Sequence, residues 1–323
     1  MAAVRRCGEA GHALARTASQ GVLVKAVVID RYGPPEVLTV AELDVPRPGP
    51  GEVLVRVAAA AVNPVDLAVR RGDIPSPVLP AVVGWDASGT VVEAGPGTTR
   101  FREGDRVIAA RSPFADGAGV TAEYLVLEES LAAHAPENVP LEDAAAMPLA
   151  ALTAEQALGR LPAEFPGRLL VAGAAGAVGG HLVQLAALRG WRPAALARAS
   201  DGHTVTELGA AEVYSDADTP PPGSYDAVID AAGRPETIAA VRDAGRYISL
   251  TPFAVPEAER SVDVEIYGVR TDGTMLDTLA RHVEAGKLTL RVARVLPFEE
   301  APKAHALLEA GGARGKVLLT PGS

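Results

Sequence analysis

The chain has 323 residues, of which 48% are hydrophobic and 22% charged, a balance typical of globular proteins that excludes a largely disordered chain. Its net charge of -10 gives no reason to expect nucleic acid or an anionic membrane as a partner, and no apolar run approaches the ~20 residues of a membrane helix. The one cysteine, Cys7, excludes an internal disulfide framework and a multi-cysteine zinc site and indicates a reducing compartment, so we expect a cytoplasmic protein.

The first 23 residues differ from the rest of the chain, because they hold three arginines, one acid and no strand alternation. We expect a flexible N-terminal extension over residues 1–23. An organelle-targeting segment and a start codon assigned too far upstream are alternatives, whereas a secretory signal lacks its apolar region. The folding pattern begins at Val24.

Between residues 24 and 148 the sequence predicts many short strands. The runs "VKAVVID", "EVLVRVAAAAV", "GTVVEAG" and "DRVIAA" are separated by turn sequences such as "RPGPGE" and "REGD". Strands at this spacing are typical of a barrel-like or partly open antiparallel domain.

From residue 149 strands and helices alternate. "RLLVAGA", "RPAALAR", "EVYSD", "YDAVIDAAG" and "RYISLT" read as strands, and the chain closes with the helix–strand–helix–strand series "DTLARHVEAGKL", "RVARVLP", "APKAHALLEAGG" and "GKVLLT". Such alternation predicts βαβ units on a parallel sheet.

The most informative stretch is "LLVAGAAGAVGGHLVQLAALRG", residues 169–190. An apolar strand runs into glycines, and Val178, Leu182, Leu185 and Leu188 then recur at helical spacing. Glycines let the backbone turn tightly, and the first turn of the helix offers unpaired N–H groups to a diphosphate. The usual G-x-G-x-x-G positions are occupied here by Ala174, Ala175, Gly176, Ala177, Val178 and Gly179. A glycine-rich helix–strand packing turn is the alternative.

Several blocks, in order, resemble those of medium-chain dehydrogenases/reductases of the zinc-independent quinone oxidoreductase (zeta-crystallin-like) type. They include "KAVVIDRYGPPEVL", "VNPVDLAVRRG", "GWDASGTVVEAGPGTTRFREGDRV" and "ARGKVLL". The resemblance implies an α/β protein with a β-rich GroES-like catalytic domain and a Rossmann domain with a doubly wound parallel sheet. Residues 24–148 would form the first, residues 149–287 the second, and residues 288–323 would return to the catalytic domain. It also implies a homodimer.

The zinc ligands of related dehydrogenases are missing. Where those proteins carry a "G-H-E-x-x-G" block, this chain has Gly84, Trp85, Asp86, Ala87, Ser88 and Gly89. Tryptophan does not ligate zinc, Cys7 lies in the extension, and the six histidines show no paired ligand spacing. We therefore expect no metal site.

The second strand of the nucleotide-binding unit favours NADPH. An acid that ends this strand bonds the ribose 2′-hydroxyl in NAD-binding folds, but here "RPAALARASDGH" offers Arg198 and Ser200, which suit a 2′-phosphate. We interpret Asp201 as the cap of the following helix. A solvated loop arginine is the alternative for Arg198.

Other site residues are implied by the resemblance. Thr153 (otherwise a helix cap) and Lys316 (otherwise a surface lysine) match positions near the cofactor, and the segment containing Thr251 and Phe253 should pass the nicotinamide. Asn63 and Asp66 in "VNPVD" match the active-site block, although an Asn-Pro turn and a helix cap would also explain them. The tyrosines of some relatives are replaced by Ala68 and Ile74, so water or a group such as Arg71 would assist protonation.

These observations predict NADPH-dependent reduction of a small quinone or α,β-unsaturated carbonyl without zinc. Two alternatives are an enoyl-thioester reductase of a biosynthetic pathway and a nucleotide-binding protein with little catalysis.

Overall fold

The computed structural model describes residues 23–74, 78–114, 117–162 and 166–322. The predicted extension, apart from Leu23, lies outside the described residues. Within these ranges no helix is both long and apolar enough to cross a bilayer.

The strands agree closely with the apolar runs of the sequence. In chain order they are β1 (Leu23–Ile29), β2 (Thr39–Asp44), β3 (Glu52–Val62), β4 (Ala81–Val82), β5 (Asp86–Ala94), β6 (Arg106–Ala110), β7 (Tyr124–Glu128), β8 (Ala132–His134), β9 (Arg168–Ala172), β10 (Arg192–Ala197), β11 (Glu212–Ser215), β12 (Tyr225–Asp230), β13 (Val241–Ser249), β14 (Asp263–Ile266), β15 (Val292–Pro297) and β16 (Lys316–Thr320). The helices are α1 (Pro64–Arg71), α2 (Leu141–Ala144), α3 (Pro148–Leu158), α4 (Ala177–Leu188), α5 (Gly202–Glu207), α6 (Gly273–Glu284) and α7 (Ala301–Glu309).

Two β-sheets contain the N-terminal strands. A small antiparallel sheet has the order β2-β1-β4, and a seven-stranded sheet has the order β15-β16-β3-β5-β6-β8 with β7 also paired to β3. The late strand β16 lies antiparallel to β3, with Leu318 opposite Ala61, and parallel to β15. The last described strands are therefore part of the sheet that the first third of the chain begins.

A third sheet is parallel throughout and has the order β11-β10-β9-β12-β13-β14. The predicted doubly wound sheet is thus confirmed. Strand order reverses between β9 and β12, and ligands of such sheets bind in the crevice at the carboxyl ends of the strands at this point. The glycine-rich loop after β9 lies at this crevice.

Helix α4 is buried more completely than a single apolar stripe predicts. All residues from Gly179 to Ala186 are buried, because the helix packs against β9 and β10 and also against α3. The prediction that Leu188 belongs to the buried stripe is wrong, because this residue, at the end of α4, is 46% exposed.

The close approach of α4 to the loop depends on Gly179. A Cβ at this position would lie 2.1 Å from the carbonyl oxygen of Gly173 and 2.8 Å from the Cα of Ala174. Both neighbours are backbone atoms of the loop, so a side chain would have to push the loop away from the helix.

We expect Gly179→Ala to lower the free energy of unfolding by about 3 kcal/mol, because overpacking against backbone cannot be relieved by a rotamer change. Urea denaturation measures this. Gly268→Ala is the matched control, since a Cβ there meets nothing within 4 Å and should change stability by less than about 0.5 kcal/mol. Equal effects of the two substitutions would contradict the packing argument.

Candidate functional site

The loop between β9 and α4 presents the backbone that the sequence assigns to a diphosphate. Within this loop Gly173, one residue before the predicted motif, has a positive φ of 76°. Because the left-handed conformation falls on this glycine, alanine is tolerated at Ala174. The N–H of Gly173 donates to the carbonyl of Leu196 at 3.0 Å. The residues from Ala175 to Val178 are partly exposed, and α4 has no acidic residue in its first turn. The loop thus leaves a helix N-terminus accessible, an arrangement that favours an anion.

Arg291 holds this loop from behind, and sequence reasoning missed it. Its Nη1 donates to the carbonyl of Ala175 at 3.0 Å and its Nη2 to the carbonyl of Gly176 at 2.6 Å. With these two carbonyls engaged by a guanidinium, the loop also gains a nearby positive charge. The sequence shows only that Arg291 precedes a C-terminal strand. Its contact with the loop leaves no local signal, because the loop lies more than a hundred residues earlier.

The electrostatic field behind the loop is positive. Burial is the main cause that lowers the pKa of His181 to about 3, and the charges of Arg291 and Lys316 contribute to the same shift. Burial also lowers the pKa of Arg291. The imidazole is therefore neutral near pH 7, and the positive charge at the loop comes from Arg291, because Lys316 is paired with Asp86.

At the end of β10 the structure brings Arg198 and Ser200 together with an arginine that was not predicted. Arg314, from the loop before β16, donates from Nη2 to Oγ of Ser200 at 2.8 Å and from Nε to Oδ1 of Asp201. Arg198 is exposed, and its guanidinium lies against Gly312, where a Cβ would be 2.7 Å from Nη1. The interpretation of Asp201 as a helix cap is wrong, because its side chain makes no capping bond and pairs with Arg314.

Thr153 lies within α3 and is partly exposed. Its hydroxyl donates to the carbonyl of Leu149 at 2.6 Å, the usual bond of a mid-helix threonine to the preceding turn. The alternative reading of this residue as a helix cap is therefore wrong.

The segment after β13 forms a turn held by Ser249, whose hydroxyl donates to the carbonyl of Thr251 at 2.9 Å. Thr251 is half-buried, whereas Phe253 is 72% exposed. An apolar ring this exposed on the crevice side of a parallel strand is available to cover a ligand.

A buried polar cluster joins four elements beside this crevice: Asn63 follows β3, Asp66 lies on α1, Asp86 begins β5 and Lys316 begins β16. All four are at most 4% exposed. Nζ of Lys316 donates to Oδ2 of Asp86 at 2.9 Å and to Oδ1 of Asn63, and Nδ2 of Asn63 donates to the same Asp86 oxygen at 3.0 Å. The alternative reading of Lys316 as a surface residue is therefore wrong.

Two helices begin at this cluster. Oδ1 of Asp86 accepts the N–H of Leu149 at 2.7 Å and so caps α3 from another strand. Oδ2 of Asp66 accepts the N–H of Asn63 at 2.8 Å at the start of α1. Burial is the main cause that raises the pKa of Asp66, to about 7. Asp86 was visible in the sequence as the acid of the block that zinc-dependent relatives use.

The cluster changes what Asn63 and Arg71 can do. The amide of Asn63 already donates to Asp86 and, at 3.2 Å, to the carbonyl of Ala61, while its oxygen accepts from Lys316. Arg71 ends α1, two turns from Asn63, and is 44% exposed in ion pairs with Asp73 and Glu309. The structure therefore brings Asn63, Asp66 and Lys316 together and leaves Arg71 outside this group.

The donor set does not fit a catalytic zinc ion. In the ranges that the structure describes, no three side chains of histidine, cysteine, aspartate or glutamate form a group able to hold a metal. At the position of the expected histidine, Trp85 is buried edge-to-face against Phe114, with ring centroids 5.2 Å apart. An indole offers a donor N–H and no lone pair for a metal.

Comparison with known proteins gives two family matches. Residues 49–137 match the alcohol dehydrogenase GroES-like domain, and residues 208–319 match a family described as zinc-binding dehydrogenase. An NADPH-dependent alkenal/one oxidoreductase of Arabidopsis thaliana is 34% identical over 92% of this chain and 80% of its own length. A 2-methylene-furan-3-one reductase of Solanum lycopersicum is 33% identical over 92% and 79%.

The fold comparison agrees. A quinone oxidoreductase from Coxiella burnetii superposes with a TM-score of 0.81 at 28% identity and covers 93% of this chain and 99% of its own.

Lys316→Met should lower the free energy of unfolding by about 3–5 kcal/mol, because it leaves the buried carboxylate of Asp86 without a counter-charge. The double variant Lys316→Met/Asp86→Asn should recover part of this loss, and urea denaturation measures both. Lys303→Met is the control, since the Lys303–Glu300 pair is mostly exposed and contributes less than about 1 kcal/mol. Additive effects at positions 86 and 316 would show that the two side chains do not interact.

The raised pKa of Asp66 predicts a pH dependence. Between pH 3.8, the ordinary pKa of an aspartate, and about pH 7, the pKa of Asp66 in the folded protein, the folded protein binds more protons than the unfolded chain. The stability contributed by protonated Asp66 is therefore lost progressively as the pH rises through this range. Asp66→Asn keeps an acceptor for the N–H of Asn63 but does not titrate. From pH 5 to pH 8 the wild type should therefore lose about 2–3 kcal/mol relative to this variant. A constant difference in urea denaturation at the two pH values would contradict the raised pKa.

Proposed function

Because the chain belongs to the quinone oxidoreductase family of medium-chain dehydrogenases/reductases, we propose that it uses NADPH to reduce a quinone or an α,β-unsaturated carbonyl. The observation that carries the proposal is the accessible loop at the switch point of the parallel sheet, with arginines at the end of the next strand. The family's enzymes are oxidoreductases, and two relatives act, by their names, on alkenals or alkenones and on a methylene-furanone.

The loop would hold the diphosphate of the cofactor. In the loop from Ala174 to Gly179, the diphosphate would meet mainly N–H groups of the first turn of α4, because those of Ala174 and Gly176 already donate to the carbonyls of Leu196 and Gly173. Arg291 supplies positive charge to the loop. Arg198 and Ser200 would bind the 2′-phosphate. Thr153, Thr251 and Phe253 would lie along the nicotinamide end, where Phe253 is free to exclude water.

The chemistry of the site favours a conjugated acceptor. When bound, NADPH supplies a hydride. A conjugated carbonyl or quinone spreads the resulting negative charge onto oxygen by itself, so it needs no zinc ion to polarise it. The chain contributes orientation and a dry cleft.

We assign positioning roles to the buried cluster. Asn63, Asp66 and Lys316 fasten β3, α1 and β16 beside the crevice, and their hydrogen bonds are made within the protein. Arg71 has no part in this proposal, because its ion pairs lie at the far end of α1.

Three broader expectations stay predictions: a homodimer, a cytoplasmic location and the division of the chain near residues 148 and 287. The pairing of β16 with β3 supports the return of the C-terminal segment to the first domain.

Oxidation of NADPH, followed by its absorbance, should be seen with a quinone or an α,β-unsaturated ketone and not with the matching saturated ketone, because only the conjugated acceptor delocalises the charge. Prior treatment with a metal chelator should leave the rate unchanged. Turnover confined to an enoyl thioester would favour the biosynthetic reductase instead. Tight NADPH binding without turnover on any acceptor would indicate a nucleotide-binding protein.

A further inference from the structure

We propose that Arg314 decides the cofactor preference, by covering the carboxylate of Asp201 and presenting its own charge to the 2′-phosphate. This proposal rests on the proposed use of NADPH and names a residue for it on a second segment of the chain. Arg314 precedes β16, whereas Arg198, Ser200 and Asp201 follow β10.

The carboxylate of Asp201 lies close to the proposed 2′-phosphate position. An acid at the end of the second strand of a nucleotide-binding sheet bonds the ribose 2′-hydroxyl of NADH and repels a 2′-phosphate. Asp201 lies shortly after Arg198 in the turn that follows β10, and its side chain is 5% exposed. Left alone, this carboxylate would favour NADH.

Arg314 removes that preference. Its Nε donates to Oδ1 of Asp201, and its Nη2 donates to Oγ of Ser200 at 2.8 Å. The carboxylate is therefore neutralised by a fork-shaped cation, which also orients the serine hydroxyl.

Enough of the guanidinium remains accessible to bind a ligand. The Arg314 side chain is 49% exposed although Asp201 is buried beneath it. Arg198 lies against Gly312 of the same loop. A 2′-phosphate at the end of β10 would thus meet one arginine from each of two segments, and their combined charge exceeds that of Asp201.

The two arginines predict different phenotypes. Loss of Arg198 removes a phosphate ligand and leaves Asp201 covered. Loss of Arg314 removes a phosphate ligand and also uncovers an acid, so affinity for the unphosphorylated ribose should be kept or improved.

The test is calorimetric binding of 2′,5′-ADP and 5′-ADP, which needs no turnover. We expect Arg314→Gln to weaken the binding of 2′,5′-ADP roughly 10- to 100-fold, because charge-assisted bonds to the phosphate are lost and the uncovered carboxylate of Asp201 repels it. The binding of 5′-ADP should stay the same or become tighter. Arg198→Ala should weaken 2′,5′-ADP without any gain for 5′-ADP. Adding Asp201→Asn to Arg314→Gln should restore part of the lost 2′,5′-ADP affinity.

The outcomes separate the two claims. If wild type prefers 2′,5′-ADP and Arg314→Gln keeps that ratio within threefold, Arg314 is only structural and the proposal is overturned. If wild type itself does not distinguish the two ligands, the assignment of NADPH fails together with the proposal. If Arg314→Gln does not fold, because it leaves the buried carboxylate of Asp201 without a partner, the double variant Arg314→Gln/Asp201→Asn is measured instead. A 2′,5′-ADP affinity of the double variant equal to that of wild type would refute the role of Arg314.

Discussion

The site depends on one buried ion pair, between the ammonium of Lys316 and the carboxylate of Asp86. Each partner begins a strand of the seven-stranded sheet, and Asn63 at the end of a third strand bonds to both. The second oxygen of Asp86 caps α3, which packs on α4 and thus reaches the glycine-rich loop. A buried charge pair contributes little net stability by itself but penalises any arrangement that separates its partners. The positions of strand ends, helix start and loop are therefore determined together.

Charge is distributed differently at the two ends of the nucleotide site. At the diphosphate the ligand would meet backbone N–H groups, and the cations Arg291 and Lys316 lie behind the loop and bond to the protein. At the proposed position of the adenosine ribose, Arg198 and Arg314 are exposed, and Arg314 also pairs with Asp201. Under the proposed function, the first arrangement would suit any pyridine nucleotide, whereas the second would distinguish NADPH from NADH. Affinity for the diphosphate and selectivity for the 2′-phosphate would then depend on different residues.

The sequence predicts much of the fold, because its signals are local. β3 coincides with the run "EVLVRVAAAAV", and the loop after β9 occurs where glycine follows a buried strand. The missed features join distant segments. Asn63 and Lys316 are 253 positions apart, and Arg314 and Asp201 are 113 apart, so neither pair leaves a pattern in a window of helical or strand length. A local rule predicted the capping role for Asp201, and its tertiary bond to Arg314 overrode it.

The late placement of β16 between β15 and β3 has a consequence for biosynthesis. Residues 60–62 of β3, which pair with β16, emerge from the ribosome long before their partner and have no neighbour on that edge while the whole parallel sheet is being made. Residues 52–56 of the same strand pair with β7, which is synthesised much earlier. Exposed strand edges of nascent chains invite pairing with other chains. The strands of the parallel sheet all lie between residues 168 and 266, so every strand of that sheet has been synthesised before β16. Vectorial synthesis thus favours completion of the parallel sheet before that of the seven-stranded sheet.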